Sequence, residues 1–212
     1  MIGSSMKTPK NLIKLILCTS IITTASVGQA QLFSSPTGHF DTGLFTNSTL
    51  GAVFTVGSQP IQVTALGVYD SLQDGLFENH DVGIWGSSGL ITSTTIPSGT
   101  GATLIGTYRY LSVPSVTLAA NTTYTIGAFF DINTAFWDHH GANGTSAVDP
   151  AISSAIPAFY SGNNNPIFTQ PTFGYAAGPL WAANMTFQVV PEPGTFTLAA
   201  VGLGLLLFRR RK

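Results

Sequence analysis

Between Gln31 and Val190 the chain contains no lysine and a single arginine, Arg109. Helix-forming Lys and Glu are scarce there, so the stretch is poorly supplied for solvated helices. Phe, Val, Ile, Thr, Ser, Gly and Asn dominate instead. The β-branched and aromatic members fit a pleated, half-buried surface, and the small polar ones fit tight turns. The expected fold class is therefore all-β, and about 160 residues suit one domain able to bury a core without staples.

Several short runs with β-branched or aromatic content are bounded by Gly, Pro, Asn and Ser. They predict strands over 52–56, 61–69, 81–85, 90–96, 104–111, 123–130 and 185–190. "GSSG" after Trp85 reads as a hairpin turn, and Pro60, Pro97 and Pro114 read as punctuation at strand ends. Seven strands at this spacing predict an antiparallel β-sandwich. In "VTLAANTTYTIGAFF" a polar turn precedes Tyr124. That order predicts a tyrosine corner, with the phenol bonding back across the turn.

The single arginine faces eight carboxylates within residues 31–190: Asp41, Asp70, Asp74, Glu78, Asp81, Asp131, Asp138 and Asp149. The resulting charge of about −7 excludes nucleic acid as a partner, since nothing is available to neutralise phosphates. The missing lysine excludes a Walker P-loop and a Schiff base in this region. The other seven basic residues lie at the two ends of the chain.

At the N-terminal end Lys7, Lys10 and Lys14 precede an apolar stretch over 15–27, followed by Gly28 and Ala30. This pattern predicts a signal peptide over residues 1–30, cleaved after Ala30 so that Gln31 begins the exported chain. Cys18, the only cysteine, lies inside the apolar stretch with Leu17 before it. A lipoprotein signal wants a small residue there, so no lipid anchor is expected. Disulfides are then irrelevant to the exported domain.

At the other end stand Pro191, Glu192 and Pro193, an apolar run over 195–208, and Arg209, Arg210, Arg211 and Lys212. Fourteen residues of helix reach roughly 21 Å, short of the roughly 30 Å hydrocarbon core. The prolines discourage extension backward, and the terminal cations favour a cytoplasmic end. This tail resembles the sorting signal of bacterial PEP-CTERM proteins. The resemblance implies recognition by a membrane-embedded exosortase, removal of residues 191–212 near the triplet, and release to the cell surface or extracellular matrix of a Gram-negative-type bacterium. Such a discarded hydrophobic tail follows the logic of a GPI signal. Membrane attachment through 195–208 would then be transient.

Residues 60–85, "PIQVTALGVYDSLQDGLFENHDVGIW", and 106–128, "GTYRYLSVPSVTLAANTTYTIGA", resemble a domain of unknown function recurring in bacterial surface and PEP-CTERM proteins. "PAFYSG" and "FGYAAGPLWAANMTFQ" resemble its closing strands. The resemblance implies an immunoglobulin-like or jelly-roll sandwich over 31–190 and no established activity.

Three constellations are candidates for chemistry. Asp70, Asp74, Glu78 and Asp81 fall within twelve residues around Gly75, which partly matches the carboxylate spacing of a Ca2+ loop. Leu72 stands where such a loop places a ligand and the flanks read as strands. A solvated acidic connection suits the same residues. Asp138 and His140 supply two metal-type ligands where zinc wants three or four. Trp137 and Trp181, in long loops rich in Asn, Gly and Pro, offer a stacking surface for sugars, whereas Trp85 reads as core. Those loops suit a binding site or a wrapping of the sandwich edge.

No nucleophile elbow and no HExxH occurs. The expectation is a non-enzymatic surface or matrix protein with a structural or adhesive role and no cofactor beyond a possible Ca2+. An exopolysaccharide-binding module is the alternative, and a secreted hydrolase a third reading.

Overall fold

The computed structural model describes residues 29–38, 40–42, 47–131, 140–161 and 167–191. Residues 1–28 and the apolar run over 195–208 lie outside them. Among the described residues fourteen strands follow in order. They are β1 (Ala30–Gln31), β2 (Phe40–Thr42), β3 (Ser48–Val56), β4 (Ile61–Tyr69), β5 (His80–Gly86), β6 (Gly89–Ile96) and β7 (Thr103–Ile105), then β8 (Tyr108–Leu118), β9 (Thr123–Phe130), β10 (His140–Ala142), β11 (Ile152–Tyr160), β12 (Phe173–Gly174), β13 (Leu180–Trp181) and β14 (Ala183–Val189). Among the described residues no helix is long and apolar enough to cross a membrane.

The strands form a five-stranded sheet, β1-β14-β4-β8-β7, a six-stranded sheet, β12-β11-β3-β9-β5-β6, and a small third sheet, β13-β10-β2. Every pairing is antiparallel. Leu66, Val68, Met185 and Phe187 of the first sheet join Phe54, Ile84, Ile126 and Phe130 of the second in one buried cluster. Two antiparallel sheets around one core are consistent with a β-sandwich. The chain crosses between the two large sheets at β3–β4, β4–β5, β6–β7 and β8–β9, so most of the core forms from distant segments.

The expected strands over 61–69 and 123–130 stand with those bounds, and 81–85 and 90–96 widen slightly to His80–Gly86 and Gly89–Ile96. The hairpin turn at Ser87 and Ser88 joins the latter two, with Gly86 opposite Gly89. The expected single strand over 104–111 is corrected to two, β7 and β8, which turn back at Gly106 and Thr107. Gly106 takes φ +62°, a conformation that glycine adopts without steric cost.

Pro114 lies inside β8 and does not end it. The ladder with β4 is irregular there, running from Ala65↔Ser112 to Val63↔Val116. A bulge asks for no ladder N–H, which is why proline fits. The end of β11 coincides with "PAFYSG", expected as a closing strand, whereas its start over 152–156 lies in the stretch expected as long loops. Its register shifts between Ile156 and Phe159, around Pro157. The tyrosine corner is present: the Ala119 N–H donates to the Tyr124 hydroxyl at 2.9 Å.

Candidate functional site

The acidic run after β4 is organised by Arg109. Asp70 and Arg109 are both buried, with Nε donating to Asp70 Oδ2 at 2.6 Å. The guanidinium also donates to the carbonyls of Thr100 at 3.3 Å, Ala102 at 3.2 Å and Gln73 at 3.2 Å. Asp70 Oδ2 accepts a second bond, from the Gly75 N–H at 3.2 Å. One planar fork thus ties the 70–79 loop to the 97–102 loop, whose backbones also meet at Leu76 and Gly99. Arginine suits this position because its donors radiate in fixed directions toward several acceptors. Its role was not read from the sequence, although its isolation among eight acids was the available signal.

The structure corrects the grouping of Asp70, Asp74, Glu78 and Asp81 as one ligand set. Asp70 faces Arg109, Asp74 is exposed, and Asp81 accepts the Thr95 hydroxyl at 2.6 Å. Glu78 is partly buried. Among the described residues no three His, Cys, Asp or Glu side chains gather as metal ligands would. His140 is buried with its ring 5.9 Å from Phe130, and Asp138 lies outside the described residues.

Trp181 is corrected from a sugar platform to a core residue. It is 3% exposed, its indole N–H donates to the Asn143 carbonyl, and its ring meets Phe33 edge-on at 5.4 Å. Trp137 lies outside the described residues. Trp85 is buried beneath Phe168, ring centroids 5.0 Å apart.

Phe168 belongs to a strap that crosses the six-stranded sheet. Thr169 N–H donates to Thr49 Oγ1 at 3.2 Å, Gln170 Nε2 to Thr125 Oγ1 at 3.1 Å, and Thr172 N–H to the Tyr160 carbonyl at 3.1 Å. Beneath it runs a row of glycines in register: Gly51 opposite Gly127, and Gly127 opposite Gly83. A Cβ at Gly127 would stand 2.8 Å from Pro171 Cγ, and one at Gly83 would stand 2.9 Å from Phe168 Cζ. The missing side chains make the trough that the strap fills. Of the two expectations for the long loops, these residues follow the wrapping one.

Residues 32–37 lie against the five-stranded sheet in a similar way. Asn184, itself buried, accepts from the Phe33 N–H at 3.1 Å and donates to the Phe33 carbonyl at 2.8 Å. Tyr69, Tyr108 and Tyr110 are buried in that sheet, with Tyr69 and Tyr108 centroids 5.6 Å apart. Burial pushes the Tyr108 phenol well above the usual 10.0, and the neighbouring Tyr110 and Tyr69 add to the shift. Burial also raises Tyr110.

A raised phenol pKa means the folded state holds a proton that the unfolded state releases above pH 10. The stability linked to these phenols is therefore complete below that pH and is lost as pH rises toward their folded values. In an alkaline titration of phenolate absorbance, these two tyrosines should ionise together with unfolding. All tyrosines titrating near pH 10 in a still-folded protein would contradict their burial.

Two concavities lined by described residues lie away from these groups. One of about 490 Å3 is lined by Gly57, Ser58, Gln59, Asp149, Pro150, Ala151 and Val189. A second, about 350 Å3, shares Asp149 and Pro150 and adds Gln31 and Ser34. Asp149 is the charged residue in either lining, and its Oδ1 accepts the Ala151 N–H at 2.9 Å. Among the described residues no histidine, cysteine or cation joins Asp149 in these two linings.

Both ends of the domain leave beside these concavities. Ala30 pairs with Phe187, so the expected cleavage point after Ala30 falls within β1, while Leu32 and Phe33 are fully buried just beyond it. Gln29 Nε2 donates to Thr64 Oγ1 at 2.8 Å and to Thr186 Oγ1 at 3.0 Å. At the other end the Val190 N–H donates to the Pro60 carbonyl at 2.9 Å, and Pro191 is exposed. Glu192 and Pro193 lie outside the described residues.

Residues 189–212, which begin where the last strand stops, match the PEP-CTERM protein-sorting motif. The chain carries a PEP-CTERM tail. The motif implies an exported protein sorted via the membrane and processed by exosortase. No curated protein and no solved structure matches the chain. In this chain the motif starts at a physical boundary: β14 ends at Val189, and the exposed Pro191 is the first residue of the triplet.

Proposed function

We propose that this PEP-CTERM protein is a non-enzymatic structural or adhesive component of the cell surface or extracellular matrix. The observation that carries the reading is the sorting motif following directly on a folded β domain. The uses the domain makes of its polar and aromatic groups support it. Arg109 and Asp70 hold two loops, Trp181 and Trp85 are buried, and the residue 167–172 strap fills the glycine trough. A surface module that must persist outside the cell gains from such self-covering, because exposed apolar sheet faces invite non-specific association.

Deleting the gene tests this. The expected result is weakened adhesion or matrix cohesion, restored by the intact gene and not by one lacking residues 191–212. Catalytic turnover by the purified exported protein against polysaccharide, ester or peptide substrates would overturn the non-enzymatic reading. Polysaccharide retention abolished by Trp137→Ala would move the assignment to a carbohydrate-binding module.

A further inference from the structure

The two large sheets have four edges, and they are unequal. β14 is flanked by Ala30 to Phe33, β7 covers only Tyr108 to Tyr110 of β8 and β12 only Phe159 and Tyr160 of β11, and the lengths of β8 and β11 left over carry Pro114 and Pro157. β6 has eight residues, Gly89–Ile96, and among the described residues its ladder is with β5 alone. An open strand edge presents unpaired N–H and C=O groups, and proteins ordinarily blunt it with lysine, proline, inward charges or a short length. β6, "GLITSTTI", contains no charge and no proline. Leu90, Ile91, Ser93 and Thr95 are exposed along it. The ladder irregularity lies at Ile84 and Trp85, near the hairpin, and Thr92 to Ile96 pair with β5 in unbroken register.

We propose that β6 is a self-association edge at which two copies of this chain pair antiparallel, joining their six-stranded sheets into one. Charge selects the occupant. The domain holds one cation, buried on Asp70, against eight carboxylates, so two copies repel each other over most approaches. The nearest carboxylate on the neighbouring strand, Asp81, is held by Thr95 of its own domain.

An uncharged, β-branched strand is what β6 can accept, and β6 is itself such a strand. A two-fold axis normal to the sheet at Ser93 sets Ser93 opposite its own copy, Ile91 opposite Thr95 and Thr92 opposite Thr94, so both copies present the same groups. Eight residues of edge bury less than the roughly 1,200 Å2 of a stable complex. The dimer is therefore weak and driven by concentration, as suits molecules crowded at a surface. This association goes beyond the proposed role, and its failure would leave that role standing.

Sedimentation of the purified exported protein from micromolar to about millimolar concentration tests the pairing. The average mass should rise toward twofold, and Ser93→Lys should hold it at one copy with an unchanged melting temperature. Hydrogen exchange of the 89–96 amides in the unaltered protein should slow as concentration rises, which needs no variant to fold. A single-copy mass throughout, exchange independent of concentration, or dimerisation undiminished by Ser93→Lys would each overturn the proposal.

Discussion

Arg109→Met should lower the stability of the exported domain by about 3–5 kcal/mol, the usual cost of breaking a buried ion pair from one side. The Asp70 carboxylate would stay buried with only the Gly75 N–H of its two described donors, and three carbonyls would lose their partner. For a domain of this size the melting temperature should fall by roughly 10 °C. Arg109→Lys should recover only part, because an ammonium cannot reach one carboxylate and three carbonyls in the guanidinium's directions. Changing both partners, Arg109→Met with Asp70→Leu, should recover more than the single change, since no uncompensated charge then remains. Urea unfolding of the four proteins measures these differences. A loss below 1 kcal/mol for Arg109→Met would mean that the pair does not hold the loop end.

Gly51→Ala should be comparably damaging, for a steric reason. A Cβ at Gly51 would stand 1.8 Å from the Ile126 carbonyl oxygen and 2.7 Å from Gly127 Cα. Both are main chain, so β3 and β9 must separate at the centre of the six-stranded sheet. Overpacking of a well-filled site costs about 1–3 kcal/mol and more where nothing flexible can give way. Gly127→Ala meets Thr49 Cγ2 at 2.7 Å and Pro171 Cγ at 2.8 Å. Those are side chains, and the strap can lift. The expected order is therefore a larger stability loss for Gly51→Ala, with Gly127→Ala chiefly exposing the strap to protease. Equal losses, or the reverse order, would contradict the account of the trough.

The strands legible in the sequence were those whose side chains alternate between a β-branched or aromatic residue and a small or polar one. Residues 61–69 are such a case, and Tyr124 after its polar turn announced the corner. The start of β11 was hidden because a bulged strand tolerates serine, and residue type alone cannot distinguish a bulge from a loop. The turn between β7 and β8 was hidden because one glycine within an apolar run carries little weight until its positive φ is seen.

The candidate sites were harder still. Spacing placed Asp70 beside Asp74, Glu78 and Asp81, but its partner is 39 residues away on β8. Trp181 read as a loop residue because Gly178 and Pro179 precede it, yet it lies under Phe33 from the other end of the chain. Long-range pairing of this kind leaves no periodic trace. The sorting tail is legible because a triplet, an apolar run and a basic end are adjacent in sequence.

The central claim is that the PEP-CTERM tail is an address that is read and removed. Intact-mass measurement of the protein recovered from outside the cell tests it most directly. The account predicts a chain that begins at Gln31 and ends near Pro191, with Arg209, Arg210, Arg211 and Lys212 gone. A mature protein that keeps both ends would contradict it.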